Sequence, residues 1–497
     1  MTILLGLLAP ASPEWEHLRS TVLSGYIANT LILCVATGVM SLAFGVPSAY
    51  LVSTCAFPGR RIFEWALILP LALPTYIAAY AYSYAMEWSI PVQIWVRDHL
   101  GADAQHWAEV VFVYGLLSTL LAAVLFPYVY LAARAAFSRQ VGASALEAAR
   151  TLGASASRTF FRVAVPMARP AIVAGLALVF MEVLNDYGAV KFFAIGTLTT
   201  GIFKSWMSIG DLPSAIRLSG IVMVIVLAVI VAERVARGRA RFDQPAGASR
   251  PLSRRRLGGA GAAGAVFCCL LPLALGFLLP VGRLGLLVIE SRPDLSRFRF
   301  GELLANSVLL AGGTAVLLVS AATVMAYAGR LYRQPLVLGL SRLALLGYAV
   351  PGAVIAIGVI VPFAKVGIGF GLAAVVFAYF CRFLAVGYAP VEGGMAKVCS
   401  NLDEAARTLG HRPLATLFRI NLPLLRPVLT AAGILVFVDL LKELPLTLIL
   451  RPFNFDTLAT RAFDLAEEGR IADCAVPALV VIAAGAAAGI LLNRQMR

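Results

Sequence analysis

Four carboxylates stand where a carboxylate is costly. Glu182 and Asp186 lie late in one long apolar run with Asn185 between them; Asp439 and Glu443 hold the same relative positions in another, with Lys442 in the place of Asn185. A charge at the centre of a membrane span costs about 2.5–3.5 kcal/mol even on the milder insertion scale, so such residues are read first as functional. At i, i+3 and i+4, each trio is expected on one helix face. With two such elements facing each other, the trios would line a central passage. An alternative is that Lys442 pairs with Asp186 or Glu443 across an interface and only holds two elements together. Little else in the chain could do chemistry. The four histidines are scattered in loops, and the seven cysteines show no zinc or redox spacing. No Gly-x4-Gly-Lys-Ser/Thr loop is present to cradle ATP phosphates. The expectation is a chain that is not an enzyme, with no cofactor and no tightly bound metal.

A second polar feature is a repeated one. Glu147-Ala-Ala-Arg-Thr-Leu-Gly153 returns 257 residues later as Glu404-Ala-Ala-Arg-Thr-Leu-Gly410. Each copy runs on to an apolar-x-apolar-Pro unit, ending at Pro166 and Pro423, and then to Arg169-Pro170 and Arg426-Pro427. Residues 143–152 are good helix formers, with Glu147 near the positive end of the helix dipole. Gly153 suits a left-handed stop, Ser155 or Ser157 can cap a second short helix, and Pro166 is expected to end it. Ala148, Ala149 and Gly153, with Ala405, Ala406 and Gly410, offer small side chains against which another protein's backbone can come close. One such hairpin could be a mere interfacial helix; two copies matched in residue and spacing point to docking.

The elements that carry these residues follow from composition. The chain has 497 residues, 60% hydrophobic and 13% charged, with a mean hydropathy of +0.86. A soluble domain carries about 25% charged residues, so this is an all-α polytopic membrane protein. Eleven spans are expected, at roughly 22–52, 63–86, 109–133, 169–193, 215–236, 260–289, 303–329, 338–363, 370–390, 426–450 and 474–493. Residues Met1–Pro10 are too short to cross alone and leave the total at eleven or twelve. The net charge of +15 is concentrated in alternate loops, which argues for membrane orientation rather than a nucleic-acid partner. The Arg-rich stretch after 234 is cytoplasmic on that rule, and counting spans places both repeated loops on the same side.

The duplication extends beyond the loops. Asn29-Thr30 answers Asn306-Ser307, Ala49-Tyr50 answers Ala326-Tyr327 and Pro74 answers Pro351, all at a spacing of 277. Six spans between the loops make the halves parallel copies. The expected organisation is a first transmembrane domain at 1–236, a flexible cytoplasmic linker at 237–259 and a second domain at 260–497. Pro74 and Pro351, inside spans, are read as kinks.

Glu-Ala-Ala, three residues, Gly, nine residues, Ile-x-Leu-Pro is the loop signature of binding-protein-dependent ABC import permeases, and this chain resembles that family with two permease domains fused. The second copy fits in full through Ile420-Asn-Leu-Pro423; the first has Val163 and Val165 instead. The resemblance implies a type I importer permease fold of two repeats with about six spans each. It implies a bacterial inner-membrane location, a periplasmic substrate-binding protein and a homodimeric cytoplasmic ATP-binding subunit. Glu147, Ala148, Ala149, Gly153, Pro166, Glu404, Ala405, Ala406, Gly410 and Pro423 would be the coupling residues. The stretches Glu182–Gly188, Thr199–Trp206, Lys442–Pro445 and Arg451–Thr460 look like those of fused ferric iron permeases, implying iron(III) import. Fused thiamine and polyamine permeases share the loops. A secondary transporter with parallel repeats is a rival, but it has no reason to keep two such loops. An intramembrane enzyme would need a catalytic set that the spans lack.

Overall fold

The computed structural model describes residues 3, 12–138, 147–149, 151–237, 254–292, 299–332, 334–335, 339, 341, 346–365, 367 and 371–495. In the first half a short helix α1 (Pro13–Thr21) leads into α2 (Leu23–Thr54). A tight turn holds the two-residue strand β1 (Cys55–Ala56) and is followed by α3 (Arg60–Ala66). Then come α4 (Thr75–Ala81), α5 (Ser83–Leu100) and α6 (Ala102–Phe137). After the first repeated loop come α7 (Val165–Asn185), two short helices α8 (Gly188–Phe192) and α9 (Leu198–Phe203), and α10 (Leu212–Arg237). The second half opens with β2 (Arg255–Arg256), α11 (Gly259–Leu273) and α12 (Leu279–Ser291). It continues with α13 (Phe300–Leu331), α14 (Gly352–Lys365), α15 (Leu372–Lys397) and α16 (Ser400–Thr408). It closes with α17 (Leu422–Leu441), α18 (Pro445–Leu450), α19 (Leu458–Glu467) and α20 (Ile471–Gln495).

Nine helices among the described residues are long and apolar enough to cross a membrane. Arg60–Ala72 with Thr75–Ala81 forms a tenth, bent by 93°, and Gly352–Lys365 is a shorter apolar helix in the equivalent place of the second half. Nine of the eleven expected spans are thus single long helices, whereas the one placed at 63–86 is a bent pair and the one placed at 338–363 a shorter helix. Pro74 sits at the bend and precedes α4, where its missing N–H costs nothing because the first turn of a helix has no partner for it. Buried residues of both halves, from Leu33 and Phe126 to Val436 and Ile482, join into one core.

Several expectations change. The spans placed at 169–193 and 426–450 stop early, at Asn185 and Leu441. Asp186 leaves the helix in extended conformation because its carboxylate accepts a hydrogen bond from the Val190 amide at 3.1 Å. In the second half Pro445 cannot donate to a continuing helix, and Glu443 Oε1 accepts from the Leu446 amide at 3.2 Å. Asp and Glu side chains thus start the next short helix in both copies. Pro166 and Pro423 do not end a helix as expected. The chain passes through a widened π turn at Phe160–Ala164 and Leu417–Asn421, and both prolines fall in the first turn of the long helix that follows. An extra residue in the turn accommodates the lost donor.

Residues 238–253, most of Met1–Pro10, and residues 143–146 and 150 of the first loop lie outside the described residues. The described end of the linker is not a free tether: Arg255–Arg256 pairs in parallel with Cys55–Ala56, and the Leu257 amide donates to Ala56 O at 3.0 Å.

The repeat noted at Asn29-Thr30 has a structural cause. Asn29 donates to Gly196 O at 2.8 Å and Thr30 Oγ1 accepts from the Leu198 amide at 3.1 Å. Asn306 donates to Asp456 O at 3.2 Å and Ser307 Oγ accepts from the Leu458 amide at 2.7 Å. Each pair pins a short helix, capped by Thr197 or Thr457, over the face opposite the repeated loops.

Candidate functional site

The two broken helices meet at the centre. Glu182, Asn185, Asp186, Asp439, Lys442 and Glu443 all line one cavity of about 90 Å³. They do so from the helix ends rather than from one continuous face, since only Glu182, Asn185 and Asp439 remain in helix. Gly188 lets the breaks touch: a Cβ there would lie 3.0 Å from Leu444 Cδ2, as well as on Tyr76.

A residue outside the expected set organises this cavity. Arg382, 3% exposed in the middle of α15, lies 3.5 Å from Glu443 and donates to Asn185 Oδ1 at 2.8 Å. Asn185 Oδ1 also accepts from the Gly352 amide at 2.7 Å. Glu182 accepts from the Tyr348 hydroxyl at 3.1 Å. Lys442 pairs with Asp439 on its own helix at 2.8 Å and reaches Leu71 O of the other half at 3.5 Å. The alternative pairing of Lys442 with Asp186 or Glu443 therefore does not form. Arg382 takes Glu443, and Asp186 accepts from the Thr75 hydroxyl. A lone arginine in the run 372–390 was the sequence signal for this missed residue.

The halves solve the same problem differently at this point. By the spacing of 277, Thr75 answers Gly352, and by the spacing of 257, Leu125 answers Arg382. Thr75 fills the first position and bonds the acid itself. Gly352 leaves the second open, since a Cβ there would sit 2.8 Å from Glu443 Oε1 and collide with the guanidinium.

Two larger cavities flank the central one. On the side facing the repeated loops, a largely apolar cavity of about 540 Å³ shares Tyr128, Tyr348, Asp439 and Lys442 with it. On the opposite side, a cavity of about 480 Å³ shares Tyr187 and is lined by Lys191, Lys204, Arg451, Asp464 and Glu467. There Lys191 pairs with Glu467 across the halves. Burial works to lower the Lys191 pKa, but bonding to Glu467 and Tyr187 outweighs it and the net shift is upward. Burial raises the Asp464 carboxyl above its ordinary value, against the pull of Arg451.

The repeated loops are built alike. Gly153 and Gly410 end their helices at φ +77° and +81°, where a Cβ would strain the backbone. The Ala154 and His411 amides close the turns onto Ala149 O and Ala406 O at 3.0 and 2.9 Å. Ser155 caps the second short helix by accepting from the Arg158 amide at 3.3 Å. Ala148, Glu404, Ala405, Gly153 and Gly410 are exposed, Glu147 and Ala149 half-buried and Ala406 buried. Leu152 and Leu409 project at 87% and 78% exposure, apolar side chains left bare beside each turn.

The model of the binding-protein-dependent transport system inner membrane component family matches residues 41–237 and 318–497, once in each half. The chain belongs to this family. It is a transport permease subunit of an ABC importer, a multi-pass membrane protein of two repeats, and such a subunit is not itself an enzyme. The family works with a periplasmic binding protein and an ATPase. Among relatives, the permease is 26% identical to the Fe(3+)-transport system permease protein FbpB 2 of Haemophilus influenzae over 92% of this chain and 87% of that one. It is 31% identical to the molybdenum transport system permease protein ModB of Escherichia coli, over 36% of this chain and 72% of that one. It is 27% identical to the sulfate transport system permease protein CysT of Escherichia coli, over 36% and 62%.

Proposed function

We propose that this permease carries iron(III) across the bacterial inner membrane, received from a periplasmic binding protein and driven by a homodimeric ATP-binding subunit in the cytoplasm. The observation that carries the reading is the charge of the central cavity: four carboxylates against two cations, Arg382 and Lys442. Hard oxygen ligands at a constriction favour a hard cation transiently. The likeness to FbpB 2 along nearly the whole chain supports the same cargo. The three cavities, each sharing residues with the next, would form the route, with Glu182, Asn185, Asp186, Asp439, Lys442 and Glu443 along it.

The two loops would receive the ATPase subunits, with Glu147, Ala148, Ala149, Gly153 and Pro166 in one socket and Glu404, Ala405, Ala406, Gly410 and Pro423 in the other. Residues 1–236 and 260–497 would be the two transmembrane domains, joined by 237–259. A second reading, an oxyanion cargo, is favoured by Arg382 and Lys442 in the same cavity and by the likeness to ModB and CysT.

Uptake of labelled ferric iron, molybdate, sulfate and thiamine into proteoliposomes holding permease, ATPase and binding protein separates these. Iron uptake that is lost in Glu182→Gln with Asp439→Asn supports the proposal. Molybdate or sulfate uptake in place of iron overturns it.

A further inference from the structure

The two docking loops match in sequence, yet the chain holds them by different means. The last turns of α13 hold the second loop at its entry, in α16 and in the second short helix. Arg330 donates from Nε to Asp403 of α16 at 2.6 Å, and from its terminal nitrogens to Met395 O, Val398 O and Cys399 O at 2.7, 2.8 and 3.0 Å. The Asn421 amide, from the π turn, donates to the other Asp403 oxygen at 3.0 Å. Tyr327 donates to Pro413 O, in the second short helix, at 3.0 Å. Asp403 and Asn421 are buried, so these charged and polar groups have no water to turn to if the grip opens.

The residues of this polar frame are not repeated in the first half. By the repeat spacings, Ser53 stands for Arg330, Leu146 for Asp403, Ala164 for Asn421 and Ala156 for Pro413. The Ser53 hydroxyl is buried without a hydrogen-bond partner among the described residues. The equivalent of Tyr327 is Tyr50, whose ring packs edge-on against Phe137 at 5.8 Å and Phe160 at 5.0 Å. Hydrogen bonds to a forked guanidinium fix direction as well as distance. Edge-on ring contacts have a preferred geometry too, but each is worth less than a charged hydrogen bond.

We infer that Arg330 is the positioning residue that makes the second docking loop the rigid one, so that the two loops pass a partner's motion into the chain unequally. This rests on both loops being docking loops. Tied in this way, the second loop converts movement of the ATPase into displacement of α13 and α15 together.

The test uses the full complex with its ATPase and binding protein. Single cysteines replacing Leu152 and Leu409 report, by cross-linking to the ATPase, on each loop separately. In Arg330→Ala, cross-linking from 409 is expected to fall about five-fold or more while that from 152 stays within about two-fold, and ATP hydrolysis stimulated by the loaded binding protein to fall about ten-fold, as loss of several charged hydrogen bonds implies. Ser53→Ala is expected to match the parent in all three. Asp403→Asn, which keeps the shape and the carbonyl bonds to Arg330, gives an intermediate loss and replaces Arg330→Ala if that chain does not reach the membrane. Unchanged cross-linking from 409, or an equal fall from 152, overturns the inference. Failure of both positions to cross-link in the parent complex overturns the docking-loop reading instead.

Discussion

Arg382 of the second half donates to Asn185 Oδ1 of the first at 2.8 Å, and the same oxygen takes the Gly352 amide at 2.7 Å. One side-chain carbonyl at the end of α7 thereby joins the first repeat to α14 and α15 of the second, with the Arg382–Glu443 pair buried beside it.

Removing one member of that pair strands the other. Arg382→Met should lower the stability of the solubilised permease by about 3–5 kcal/mol, since it leaves Glu443 as an unpaired buried carboxylate. Adding Glu443→Gln should recover most of the loss. Thermal unfolding of the single and double variants measures this; a single variant as stable as the parent would show that the pair holds nothing together.

Gly352 is needed for space rather than for a special backbone angle. Gly352→Ala brings a methyl within 2.8 Å of Glu443 Oε1 and against the Arg382 guanidinium. Transport should drop by about ten-fold or more at normal membrane abundance, as overpacking a fixed cluster costs about 1–3 kcal/mol. Gly313→Ala, where a Cβ meets nothing within 4 Å, is the matched control and should transport like the parent.

Gly153 and Gly410 make the opposite case. A Cβ at either meets no neighbour within 4 Å, but the positive φ strains any other residue by about 1–2 kcal/mol. Replacing both with Trp should leave the chain in the membrane and abolish recovery of the ATPase with it. Normal co-purification and transport would remove these turns from the coupling interface.

Lys191 and Glu467 form an ion pair between the halves, but both side chains are more than a third exposed. Lys191→Ala should therefore change the unfolding free energy by less than about 1 kcal/mol. A loss as large as that of Arg382→Met would mean that the outer pair, rather than the buried one, joins the halves.

Much of this was legible in the sequence because it is written twice. The described parts of the loops, nine of the eleven spans and the Asn29-Thr30 repeat survive as structure, since apolar length and exact spacing report directly on helices and on duplicated contacts. The helix breaks at Asp186 and Lys442 were not legible. Hydropathy averages over an apolar run and continues it through Asp186 into Val190, although a carboxylate bonding a downstream amide ends the helix there. Arg382 has no counterpart, since Leu125 occupies the equivalent place, and so no repeat marks it in the sequence. The same holds for Arg330, whose equivalent is Ser53.

The placement of α11 has a consequence for how the molecule is made. It packs against α2, α3 and α6, so the opening helix of the second half is a wall of the first. A first half without that helix would leave this face of α2 uncovered, so the two repeats form one folded unit rather than two.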